Sequence, residues 1–213
     1  DPDTTDAFDI DRIDETYDAF VANTGVTLHL TDSLSLVGSV AQGFRAPNLD
    51  DTTSFRAVSS NSFDSPSPDL DPEFSLTLEV GLKWQLPWIR GQLFYAYTYL
   101  DDVIQRVPTG ATVSGLEEFT KENFADGSVQ AIDGELEIFV SPVAQLLGFE
   151  MPELGLSLGA RFSWTRGTAD ALIGGKRRKD HLRRTPPASF AALVRWADPT
   201  DGWLWVEIEG EFV

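Results

Sequence analysis

The sequence predicts an all-β fold, an antiparallel transmembrane β-barrel segment of about eight strands. Three observations carry this reading. Large apolar residues alternate with small, polar or charged ones in runs that outlast an ordinary soluble strand. The links between runs alternate between tight and long. No stretch approaches the ~18 consecutive apolar residues of a membrane helix, so strands are what would meet a bilayer.

The elements follow in order. Val26, Leu28 and Leu30 alternate with Thr27 and His29, and the tight link Thr31-Asp32-Ser33 leads to Leu34, Leu36 and Val40 against Ser35, Val37 and Ser39. After a long link, 46–71, residues 74–86 give the clearest run, in which every even position from Phe74 to Leu86 is large and apolar while the odd ones are small, polar or charged. A tilted membrane strand needs about 9–11 residues, whereas soluble strands run to about 5–6. Pro87-Trp88 makes the next tight link, and Leu93, Tyr95, Tyr97 and Tyr99 share one face of the following strand. Beyond the long link 107–122, Ile132, Leu136, Ile138 and Val140 oppose Asp133, Glu135 and Glu137. Leu154, Leu156, Leu158, Ala160, Phe162 and Trp164 form another apolar face, and after the long link 167–187 so do Phe190, Ala192, Val194 and Trp196. Finally Leu204, Val206, Ile208 and Phe212 oppose Glu207, Glu209 and Glu211.

Outer-membrane barrels have short periplasmic turns and long outer loops, which assigns 46–71, 107–122 and 167–187 to the outside. The link 141–153 breaks the rule, being periplasmic by parity yet too long for a tight turn. Trp84 and Trp88 flank one tight link, Trp196 and Trp203 another, and Phe44 and Tyr99 lie near the opposite ends. This is the placement of two interfacial girdles. Alternation alone also suits a soluble β-sandwich, and the link lengths favour the barrel.

Several motifs narrow the class. Gly43-Phe44-Arg45-Ala46-Pro47-Asn48-Leu49-Asp50 opens the first long link, and Pro68-Asp69-Leu70-Asp71-Pro72-Glu73 leads into Leu78-Glu79-Val80-Gly81-Leu82-Lys83. Next come Phe94-Tyr95 with Asp102-Val103-Ile104, Glu122-Asn123 with Gly134-Glu135-Leu136-Glu137, and Arg184-Thr185-Pro186-Pro187. In order and spacing these resemble TonB-dependent outer-membrane receptors across nearly the whole chain. The resemblance implies one partial barrel domain over residues 1–213, drawn from a barrel of about 22 strands whose lumen holds a plug. Neither that plug nor the short box offered to TonB is recognisable in this sequence. It also implies an outer-membrane location, a TonB partner acting through the plug, and an extracellular small-molecule ligand such as a metal chelate.

The chemistry agrees with a wall rather than a catalyst. There are no cysteines, which excludes thiol catalysis and thiolate metal sites. His29 and His181 have no partner spacing, so no catalytic or metal residue is assigned and no cofactor is implied. The family's haem receptors commonly carry a histidine between the two loop motifs, and residues 48–67 contain none. Glu135/Glu137 and Glu207/Glu209 read as the hydrated face of a wall, and Asp50, Asp51, Asp64, Asp69 and Asp71 as a solvated acidic loop rather than a calcium loop.

A net charge of -18 excludes a role that depends on wrapping nucleic acid. Against that background, 176–184 carries six of the 16 basic residues. Exposed on an outer loop, these cations would meet lipopolysaccharide phosphates or an anionic ligand. Arg45, Arg56, Arg177 and Arg178 are therefore the candidate ligand contacts. The function expected is TonB-dependent uptake of a scarce nutrient, a ferric siderophore first and cobalamin or a sugar next, with no enzyme activity. The alternatives are a complete small eight-stranded outer-membrane barrel, structural or adhesive, and a soluble β-sandwich binding module.

Overall fold

The computed structural model describes residues 15–173, 176–182, 185–200 and 203–213. The chain runs β1 (Asn23–Thr31), β2 (Leu34–Arg45), α1 (Leu49–Thr53), β3 (Arg56–Ser59), β4 (Ser62–Asp64), β5 (Glu73–Leu86), β6 (Ile89–Val113), β7 (Leu116–Phe139), α2 (Val140–Leu146), β8 (Leu156–Ile173), β9 (Lys176–His181), β10 (Ser189–Ala197) and β11 (Trp205–Phe212). Eight strands pair in the order β1-β2-β5-β6-β7-β8-β10-β11. These are the eight alternating runs of the sequence, joined as an antiparallel meander. No pairing joins β1 to β11 among the described residues, so the sheet is open.

The register turns alternation into two faces. Leu36, Leu82 and Leu93 fall in one cross-strand row, as do Ile138, Leu158, Val194 and Ile208. These rows stay bare: Ile208 is 71% exposed, and Leu93, Leu158 and Val194 are each close to half exposed. A sandwich would cover such a face with a second sheet, and here there is one layer. The opposite face carries the charges. Glu137 is paired with Arg90 at 2.5 Å and lies 3.8 Å from Arg195, which also binds Glu207 at 2.6 Å. Arg161 reaches Glu209 at 3.2 Å and Glu135 at 3.8 Å. The carboxylate pairs are thus matched by arginines from adjacent strands, except Glu209, which Arg161 reaches across β10.

Two long links resolve into sheet. β6 and β7 continue to a two-residue turn in which Ser114 (φ 51°) and Gly115 (φ 81°) both take left-handed φ values, as a type I′ hairpin demands. The stretch 107–122 is therefore a ladder and not a loop. Pro108 and Gly110 conceal this in the sequence, because both read as breakers, and here they lie at the register break between Pro108 and Thr112. At 25 residues β6 is more than twice what a bilayer crossing needs, so the far part of the β6–β7 pair projects beyond the membrane zone. Similarly, β8 extends to Ile173 and β9 folds back on it, which converts much of 167–187 into a hairpin. Gly174-Gly175 and Arg183-Arg184 lie outside the described residues. The irregular link 141–153 is an insertion that begins with α2.

Asp102 (φ 55°) marks the bulge where β6 leaves the bare-faced zone, and Asn123 Nδ2 donates to its carbonyl at 2.8 Å. Asp102→Val should destabilise the fold by about 1–2 kcal/mol, the cost of a side chain ill-suited to left-handed backbone, whereas Asp102→Gly should be tolerated. The urea midpoint of the folded, heat-modifiable band checks both.

Candidate functional site

The first long link does not hang free. Asn48 caps α1, with its side chain accepting from Asp51 N at 2.9 Å while Asp51 Oδ2 accepts from Asn48 N at 3.1 Å, a capping box. The same carboxylate accepts from Arg45 Nη1 at 2.8 Å and from Lys121 Nζ at 3.2 Å. Asp51 thus ties the end of β2, the cap of α1 and the outer part of β7 to one group. Arg45 uses its other donors on Glu73, Nε at 2.6 Å and Nη2 at 2.8 Å. Glu73 Oε1 also accepts from Ile104 N at 2.7 Å, bringing in β6.

The link is then fastened along its length. β4 pairs in parallel with β7, Ser62 opposite Glu117 and Asp64 opposite Phe119. Arg106 binds Asp64 at 2.6 Å and lies 3.5 Å from the centroid of Phe119, so one cation serves an ion pair and a ring contact. Ser65 and Thr109 donate to the Glu118 carboxylate, the latter at 2.7 Å, and Lys121 N donates to Ser67 Oγ at 2.7 Å. Asn123 closes the far end, donating to Asp71 O and accepting from Asp71 N, both at 2.8 Å.

This corrects the expectation of a solvated acidic loop. Asp51 and Asp64 are buried and ion-paired, and Asp50 pairs with Arg56 at 2.8 Å and Lys121 at 3.0 Å, whereas Asp69 and Asp71 are exposed as expected. Lys121, Arg106 and Asn123 were not singled out for binding by the sequence, although Asn123 lies in one of its motifs. Their role depends on which strand faces the loop, and that is not a local property.

The candidate contacts differ in availability. Arg45 is committed to Glu73 and Asp51, and the Glu73 hydrogen bond holds its pKa above the ordinary guanidinium value. Arg56 is 61% exposed at its side chain and pairs with the half-exposed Asp50. Arg178 is exposed on β9; Arg177 lies on the same strand, and its side chain is outside the described residues. The structure does not bring Arg178 into contact with Arg45 or Arg56. On the polar face His29 Nδ1 is 2.9 Å from Ser35 Oγ, while His181 is exposed on β9. Among the described residues no cluster of three His, Cys, Asp or Glu could hold a metal ion.

A bare apolar face, a charged opposite face and five central strands longer than a bilayer crossing define a wall segment of a membrane β-barrel. The chain belongs to the TonB-dependent receptor family: the model described as "TonB dependent receptor-like, beta-barrel" matches residues 1–212. Members of that family are receptors and transporters, not enzymes. Among solved structures the sheet is similar to the copper transporter OprC, at 13% identity and TM-score 0.58, with 84% of this chain and 24% of that one covered. It is similar to the siderophore receptor PirA from Pseudomonas aeruginosa at 13% identity and TM-score 0.53, covering 91% and 42%. The FrpB iron transporter from Neisseria meningitidis matches at 11% identity and TM-score 0.52, covering 89% and 26%. At these identities the likeness is one of fold, and the chain spans less than half of each. A sequence search of curated proteins gives no match.

Two outcomes follow for the rim. Glu73→Ala strips the Ile104 N–H and Arg45 of their acceptor, which should cost about 1–3 kcal/mol and appear as faster trypsin cleavage after Arg45 and Arg56. The second concerns acid. Burial works to raise the Asp51 carboxyl, but the Asn48 amide, Arg45 and Lys121 outweigh it and leave it below 3.8; hydrogen bonds from Ser65 and Thr109 likewise lower Glu118. A carboxylate depressed on folding stabilises above its unfolded pKa and loses that contribution as pH falls through the folded value. Loop 46–71 should therefore stay protected at neutral pH and open to an acid-active protease only below about pH 4.

Proposed function

We propose that this segment supplies part of the wall and outer loops of a bacterial outer-membrane receptor that takes up a scarce nutrient, with TonB acting on a plug that these residues do not include. The family match over residues 1–212 carries the reading. A ferric siderophore is the first candidate ligand, supported by the siderophore receptor and iron transporter among the structural neighbours. A sugar or cobalamin comes next. The apolar face would meet lipid and the charged face the lumen and plug.

Ligand contact on this rim is proposed for Arg56, Arg177 and Arg178. The Arg56–Asp50 pair is exposed and screened by solvent, so an anionic chelate can compete for the guanidinium. Arg45, committed to Glu73 and Asp51, is proposed to act by holding the loop in place. The cations of β9 would also meet lipopolysaccharide phosphates, a second role for the same charges.

The test uses the full-length receptor. Outer-membrane recovery with a heat-modifiable band, and uptake of labelled ferric chelates that disappears without TonB, are the expected results. A soluble, detergent-independent product would overturn the reading. In the same cells, Arg56→Ala combined with Arg178→Ala should weaken chelate binding about tenfold, equivalent to ~1.4 kcal/mol. Unchanged Kd would remove these arginines from the ligand site.

A further inference from the structure

The insertion between β7 and β8 is unlike two links at the same end of the sheet, Thr31-Asp32-Ser33 and Pro87-Trp88, which are tight. Ser141 is fully buried and its Oγ accepts from Leu154 N at 2.9 Å, which pins the start of α2 to the return of the loop. At the other end of α2, Phe149 N donates to Ala144 O and Gly148 N to Gln145 O, both at 3.0 Å, with Gly148 at φ 86°. That is the Schellman arrangement, which reverses the chain at a helix C-terminus. Gln145 Nε2 donating to Met151 O at 3.2 Å secures the reversal.

The result is a braced loop whose tip is apolar and bare. Leu146, Leu147 and Phe149 are 66%, 69% and 65% exposed, and between Val140 and Gly155 the only charged residues are Glu150 and Glu153. A loop facing water would not be braced in a way that keeps three large apolar side chains out. The loop is also continuous with the bare face. Its base hydrogen-bonds to β10, Ala197 N donating to Gly155 O at 2.8 Å, one residue beyond the apolar-face row of Leu156, Trp196 and Val206.

From this we propose that residues 140–155 form an interfacial anchor whose tip, Leu146, Leu147 and Phe149, inserts into the periplasmic leaflet of the outer membrane. The partner is a phospholipid surface. With no Lys or Arg in the loop, insertion runs on apolar burial and not on attraction to anionic headgroups. The inference rests on the proposed membrane placement of the sheet, and the experiment separates the two.

The sequence has no cysteine, so single labels can be introduced without removing any from this segment. Leu147→Cys and Phe149→Cys would carry an environment-sensitive fluorophore in the full-length receptor, in vesicles of phosphatidylethanolamine and phosphatidylglycerol. Leu158→Cys reports the bare face, and Asp32→Cys reports a tight turn at the same end. Quenching at positions 147 and 149 by spin-labelled lipid should come within about twofold of that at 158, as for a tip buried in the acyl boundary, with iodide quenching well below that at 32. Strong iodide quenching at 147 and 149, with 158 still quenched by lipid, would overturn the anchor alone. Protection from both quenchers would also overturn it, since a protein surface would then cover the tip. If 158 itself escapes lipid quenching, the membrane placement fails and the anchor with it.

Discussion

An unpaired peptide group in hydrocarbon costs several kcal/mol, so a chain that crosses a membrane in strands must pair each of them on both sides. The meander meets this demand between β2 and β10, where every main-path strand has a neighbour on each edge. β1 and β11 each show one free edge among the described residues, as expected of a wall segment whose barrel includes further strands. Period-two alternation follows from the same constraint. Once the backbone is spent on pairing, each side chain can only choose between lipid on one face and a wet interior on the other.

The charged face shows how a chain with 34 carboxylates and 16 basic residues avoids a wall of uncompensated charge. Arg90, Arg161 and Arg195 sit on three strands and each reaches a carboxylate across a ladder, Glu137, Glu135 and Glu207 in turn. Glu137 accepts from Arg90 and from Ser157 Oγ at 2.5 Å while facing Arg195, and so joins β6, β7, β8 and β10. These groups are partly hydrated, and their pairing contributes less through Coulomb attraction than by fixing which carboxylate meets which arginine.

At the outer end the constraint changes. Water can satisfy the backbone there, and the strands could fray. They extend instead, because the first loop supplies them with partners: β4 adds to β7, Arg106 stacks on Phe119, and the Asp51 carboxylate gathers Arg45, Asn48 and Lys121. The motif residues Arg45, Glu73 and Asn123 all belong to this fastening. Their task is to hold the loop scaffold, and the ligand contact proposed for this rim falls instead to the exposed cations Arg56 and Arg178.

The sequence by itself determined the eight main strands, their faces and the family, because alternation in residues such as Leu76, Leu78, Val80 and Leu82 is a local signal set by the pleat. It also exposed the anomaly at 141–153 through link length alone. Tertiary structure decided everything that depends on which strand lies opposite. Pro108 and Gly110 read as loop until the ladder with β7 absorbed them, and Asp51 and Asp64 read as solvated acids until Lys121 and Arg106 arrived from 70 and 42 residues away. Ion pairs across a sheet are fixed by register, and register is a relation between distant segments that no single stretch of sequence contains.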